Sequence, residues 1–409
     1  MTKKTKKTKK LLISLAVFFV FLFMVSYITI PALFQTKYDT GVDVEKALAA
    51  EGEENIEKPV AEKVKHIETP ESVKTIYMTA CVAGTLNFRN DLVELIDETE
   101  INSIIIDIKD FSGTISFPTE LLGSTGTGCK APDMKEFIEM LHDKGVYVIG
   151  RITVFQDPLY TKAHPELAVK KASDGSVWKD HKGLSFVEVG AKPYWEYIVD
   201  LSKESKAIGF DELNFDYVRF PSDGNMKDIY FPFSEEIIKS NPDTGKAIAL
   251  EGFFKFLKEE MDKLDIVTSA DLFGMTATNK DDLNIGQVLE RALPYFDFIA
   301  PMVYPSHYPP NFNGWANPND HPYDIIHFSM TEAVRRVEEM RASTSTPQTV
   351  RDFISSDQLR TWIQDFDYGG DYGPVEVRAQ IQATYDAGLD SWMIWAPSNR
   401  YTKGALKSE

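Results

Sequence analysis

Cysteine is scarce in this chain: two residues, Cys81 and Cys129, among 409. That excludes a disulfide-built scaffold and a cysteine-based zinc site, and leaves either one disulfide or two free thiols. Histidine is nearly as rare, at seven, and shows neither HExxH nor a paired ligand spacing, so no metal is expected. The turn after the first β-rich run, VAGTLNFRN, holds one glycine and lacks the GxGxxG of a dinucleotide fold. There is no GxSxG nucleophile elbow, and no cofactor is expected. Positive charge is short as well. Lys+Arg number 44 against 62 Asp+Glu, a net charge of -18. Nucleic acid needs a basic footprint and is excluded as a partner; a neutral or amine-bearing partner suits the acidic field better.

The N-terminus carries the local exception. Residues 2–10 read TKKTKKTKK, and residues 11–34 contain no formal charge. A helix needs about 20 apolar residues to cross the hydrocarbon core. The lysines precede this run, so the N-terminus is expected in the cytoplasm and the remainder outside. Signal-peptide cores run about 7–15 residues. This run is longer, and the nearest small-residue site, Ala47-Leu48-Ala49, lies well beyond it. The expectation is an uncleaved single-pass anchor in a cell membrane. Residues 35–73 are polar, acidic and poor in aromatics, and read as a flexible acidic stalk.

From residue 74 to 405 β-rich runs alternate with helical patterns, which signals βα units and a parallel sheet. Strands are predicted over 75–81, 103–110, 146–155, 211–220, 266–273, 296–304, 359–366 and 391–397. Helices are predicted near 90–98, 132–144, 192–207, 244–263, 285–293, 323–340 and 375–387. Eight such strands argue for a (β/α)8 TIM barrel.

In these barrels chemistry sits at the C-terminal ends of the strands. Polar residues there are Asp107 and Lys109, Arg151, Asn214, Asp216 and Arg219, Asp271, Tyr304 and His307, Gln364, and Trp395. Period two puts Asn214 and Asp216 on one face, and Phe215 and Tyr217 on the other, toward the helices. A buried carboxylate is costly unless paired, and Arg219 is the nearest partner of Asp216 in sequence. Asp271 ends the following strand. Two carboxylates at one barrel mouth are the minimum equipment for glycoside hydrolysis. Trp178, Tyr304, Tyr308, Trp315 and Trp395 fall in or near the upper loops, where flat rings could stack on sugars.

The stretch GFDELNFDYVRFP, with IIIDIKDFSG, VIGRITVFQDP, SADLFG, APMVYPSHY, WIQDF and VEVRAQIQATYDAG, resembles a bacterial family described as a putative glycoside hydrolase domain, domain of unknown function 4015. The resemblance implies a glycosidase-related barrel, often membrane-anchored. Family 18 chitinases carry DxxDxDxE on the fourth strand. Here Asp211, Asn214 and Asp216 fall at the three Asp positions, and Val218 replaces the Glu. In the α-amylase group an Asp ends the fourth strand and a carboxylic acid ends the fifth, a placement closer to Asp216 and Asp271.

The expected activity is hydrolysis of an envelope or extracellular polysaccharide. Asp216 would be nucleophile or base and Asp271 the acid/base. Asp107, Lys109, Arg151, Asn214, Arg219, Tyr304, His307, Gln364 and Trp395 would hold the substrate or the carboxylates. The rival expectations are a glycan-binding or scaffold protein on a degenerate barrel, and a metal-dependent deacetylase.

Overall fold

The computed structural model describes residues 64–408, so the expected basic tail, anchor and most of the stalk lie outside the described residues. Among the described residues no helix is long and apolar enough to cross a membrane.

Eight parallel strands close into a barrel in chain order: β1 Lys74–Met78, β2 Ser103–Lys109, β3 Tyr147–Thr153, β4 Glu212–Asp216, β5 Val267–Phe273, β6 Phe298–Met302, β7 Thr361–Gln364 and β8 Trp392–Trp395. β8 pairs with β1 through Lys74↔Trp392 and its neighbours, which completes the closure. Each predicted strand is present, shorter by one to five residues. Each predicted helix is present with one exception, and short helices not expected from the sequence are added in the loops, such as Pro158–Ala163, Glu235–Ser240 and Gln348–Phe353. The predicted 285–293 helix shrinks to Leu289–Ala292, continued by a 3-10 turn over Leu293–Tyr295; Pro294 lacks the N–H that a continuing helix needs.

The helix Lys192–Ile208 shows how local chemistry sets these bounds. Pro193 sits in its first turn, and Gly209 ends it at φ +118, where a side chain would be strained. Its buried residues include Tyr194, Ile198, Val199 and Leu201, and Trp195, which packs on Phe253 and Phe256 of the next long helix. The large apolar core lies in that layer, between sheet and helices. A second cluster fills the barrel itself, with Tyr77, Ile105, Ile149, Ala300, Trp362 and Met393 among its members.

The lower end of the barrel is polar and paired. Arg360 donates to both carboxylate oxygens of Glu212, at 2.7 and 2.8 Å, and both side chains are fully buried. The Tyr147 hydroxyl donates to Glu212 as well, at 3.0 Å. Residues 64–72 close this end, which corrects the expectation that the stalk runs to 73. Ile67 donates its N–H to Asp211 at 2.8 Å and packs on the interior cluster, and Thr69 bonds the Tyr147 hydroxyl. The compact unit accordingly begins at Val64.

Cys81 and Cys129 form a disulfide that ties the segment after β1 to the long loop after β2.

Candidate active site

The opposite end of the barrel gathers the charged residues. Arg151 near the end of β3 is their hub. Its Nη1 donates to Asp107 on β2 at 2.7 Å. Its Nε donates to Asp216 on β4 at 3.1 Å, and Nη2 donates to the same oxygen. Asp271 on β5 lies 3.9 Å from Nε. One guanidinium therefore stands among three buried carboxylates. The pairing of Asp216 with Arg219 is corrected: Arg219 turns to Ser222 and the Phe220 carbonyl instead. The tie to Arg151 crosses strands, so sequence proximity could not show it.

The two β4/β5 carboxylates differ in surroundings. Asp216 accepts the two Arg151 bonds and the Tyr217 backbone N–H at 2.6 Å; three donors suit an anion. In Asp271 a single oxygen, Oδ1, takes both conventional bonds, from Asn214 Nδ2 at 3.0 Å and Trp362 Nε1 at 2.7 Å. Burial, with the charge of Asp216 added, pushes the Asp271 carboxyl up to about 8, against the pull of Arg151. Oδ2 is the oxygen without those donors. Burial also raises Asp107, opposed by Arg151 and by the Tyr77 hydroxyl that bonds it.

A cleft of two adjoining lobes opens above these groups. The inner lobe, about 250 Å³, is lined by Asp216, Asp271, Tyr304, His307, Trp362 and Trp395. The outer lobe, about 540 Å³, reaches Asp107, Tyr77, Phe111 and Trp395. Arg151, Tyr217, Arg219 and Trp395 belong to both. Burial lowers the His307 imidazole, leaving it neutral, and raises the Tyr304 phenol well above its usual value, helped by Asp271 and Asp216.

Seven of the predicted residues thus line the cleft directly: Asp107, Arg151, Asp216 and Asp271 with Tyr304, His307 and Trp395; Arg219 joins them at the rim. Three do not. Lys109 should share a face with Asp107, but the β2–β3 register shifts between them. The shift turns Lys109 outward, where it is fully buried against Asp157 at 2.8 Å and the Tyr194 hydroxyl at 3.0 Å. Asn214 sits one rung below the cleft and orients Asp271. Gln364 is buried, receiving the Ser306 N–H at 3.2 Å and donating to the Phe366 carbonyl at 2.9 Å, so it fixes the loop that carries His307. Asp211, aligned with the chitinase pattern, lies at the closed end, bonded to His142 at 2.9 Å. Val218, at the chitinase Glu position, is buried in the outer core.

Of the five upper-loop aromatics, Tyr304 and Trp395 line the cleft. Trp178 is buried with its N–H on the Asn225 carbonyl, and Tyr308 is buried against Ser329. Trp315 stacks on His321 beside a separate depression. Trp362, Tyr77 and Tyr217 complete the site without having been predicted in it. Trp362 was signalled by its inward period-two position; Tyr217 was expected to face the helices.

The chain is similar to several known proteins. A hypothetical protein of Ruminiclostridium thermocellum is 29% identical over 48% of this chain and 96% of its own, with a TM-score of 0.41. The PgaB (BpsB) glycoside hydrolase domain of Bordetella bronchiseptica superposes with a TM-score of 0.60 at 13% identity, over 82% of this chain and 99% of its own. An inactive variant of a family 20 exo-β-N-acetylglucosaminidase from Vibrio harveyi gives 0.51 at 10% identity, over 84% and 55%. The last two share the barrel fold. No curated protein matches the chain in sequence. A family model matches residues 75–401. Because that match opens on the first strand and closes beyond the eighth, it takes in every carboxylate described above, and the chain belongs to this family, described as a putative glycosyl hydrolase domain.

Proposed function

We propose that the protein hydrolyses a glycosidic bond of an envelope or extracellular polysaccharide, with Asp271 as proton donor and Asp216 as nucleophile or base. The observation that carries this is the unequal pair: two carboxylates on one guanidinium, one surrounded by donors and the other pushed up to about 8. Pairs of acids driven apart by their surroundings divide the roles of acid and base between them. Asp271 would protonate the departing oxygen. Asp216 would attack the sugar carbon or activate a water there. Arg151 holds Asp216 in place, and Tyr304, Trp362 and Trp395 supply ring faces around the sugar. The fold neighbours include a glycoside hydrolase domain and a β-N-acetylglucosaminidase, which supports the reaction class.

The charge-free run 11–34 behind its lysines supports a membrane-anchored, extracytoplasmic placement of the barrel. Fractionation checks it: the full chain should stay with the membrane after a high-salt wash and be shaved by protease added outside intact cells.

Activity is tested by incubating the full chain and its Asp216→Asn variant with cell-wall and exopolysaccharide glycans and following new reducing ends by mass spectrometry. Release by the wild type alone is expected. Glycan bound but never cut would favour the binding-protein reading.

A further inference from the structure

The outer lobe extends beyond the acid and base of the reaction just described, is the larger of the two and shares four wall residues with the inner one. Its volume, about 540 Å³, falls within the range of about 300–1,000 Å³ typical of ligand pockets. Two aromatic side chains in its walls are held by their backbone where a ligand would meet them.

Tyr217 is the first. Its backbone stands at φ +53, a conformation unfavourable for a bulky residue and characteristic of functional positions. Its ring packs on the outer apolar layer and also lines both lobes, with the Arg219 guanidinium 4.9 Å from the ring centre. The bond to Asp216 uses the Tyr217 backbone N–H, which glycine or asparagine would provide with less strain. What tyrosine alone brings to this position is the ring.

Phe111 is the second. It is 56% exposed and lines the outer lobe but not the inner. A turn holds it out: the Gly113 N–H bonds the Asp110 carbonyl at 3.0 Å, and the Asp110 side chain accepts from Ser112. Gly113 stands at φ +86, and a Cβ there would come within 2.1 Å of Asp157 Oδ1. In the same lobe Tyr77 packs 4.3 Å from Trp395, centre to centre, and Trp395 also lines the inner lobe.

We propose that the outer lobe is a sugar-binding extension on one side of the cleavage point. Tyr217 is the stacking platform at the junction and Phe111 the platform at the outer wall, so that a glycan chain lies across both lobes and is cut internally. The proposal rests on the carbohydrate-active reading above and adds to it the length of chain recognised.

The test uses the full chain carrying Asp271→Asn, and as probes linear cello-, chito- and chitosan-oligosaccharides of two to eight sugars, with binding measured by calorimetry. For the series that binds, affinity should rise with length until both lobes are filled. Adding Phe111→Ala should lower the affinity of the longest members by about tenfold, equivalent to one lost stacking contact, and leave the shortest unchanged. Tyr217→Ala should weaken long chains at least as much, and Tyr217→Phe should restore them. Length-independent binding, indifference to Phe111→Ala, or no binding to any series overturns the proposal. Length-dependent binding to the inactive variant, with no cleavage by wild type, would sink the hydrolase reading and leave the two-lobed site standing. Cleavage at a rate independent of length would do the reverse.

Discussion

Arg151 decides how the carboxylates at the cleft behave. It is buried, and its removal would leave Asp107, Asp216 and Asp271 facing one another without a counter-charge. Breaking one side of a buried ion pair costs about 3–5 kcal/mol, so Arg151→Met should lower unfolding stability by at least that range in denaturant titrations, as well as abolish activity. Asp271 gives a pH signature. Its folded-state value, about 8, lies above its ordinary 3.8, so between these values the folded chain binds more protons than the unfolded one. Its contribution to stability is greatest below about pH 4 and declines as pH rises toward 8. Catalysis loses the proton donor across the upper end of the same window. The rate should fall on the alkaline side of about pH 8, and Asp271→Asn should remove both the slope in stability and the alkaline limb. A pH series of melts and of rates, run on both proteins, checks the pair of effects together.

Strands and helices were legible because their signals are local: apolar runs between turns, proline at the first turn of a helix, glycine past its end. What the sequence could not show was set by register. Lys109 and Asp107 are two residues apart on one strand and should face the same way, but one irregularity in β2–β3 pairing separates them. The consequence is measurable. Lys109→Met leaves the buried Asp157 and the Tyr194 hydroxyl without their cation. It should cost about 3 kcal/mol or more of stability while leaving KM for the glycan unchanged; a sugar-contacting lysine would show the opposite pattern. The partner of Asp216 was hidden for a similar reason, because Arg151 reaches it from the neighbouring strand. The disulfide is an element-scale constraint that composition left open. It closes a loop with a sequence separation of 48, for which chain entropy gives about 4 kcal/mol. A Cys81→Ser/Cys129→Ser protein should be less stable by an amount of that order in equilibrium unfolding.

On the scale of the whole molecule, the barrel has one end for stability and one for chemistry. The closed end is stoppered by residues 64–72 and by the Glu212–Arg360 pair; the open end holds the acids and the two-lobed cleft. A chain begun at Lys74 would lose the Ile67 and Thr69 contacts and should melt several degrees below one begun at Val64, with the same kcat, since the cleft lies at the other end. The eight-strand architecture, the β4/β5 carboxylate pair and most of the cleft were readable from strand-end positions alone. The Trp362 contact, the outward turn of Lys109 and the ring of Tyr217 required three-dimensional pairing to see. The most direct test of the carboxylate mechanism is the turnover of wild type, Asp216→Asn and Asp271→Asn on the glycan from which wild type releases reducing ends. Both variants should remain folded and lose at least about 100-fold in kcat. Either variant turning over at the wild-type rate would contradict the assignment of hydrolysis to this pair.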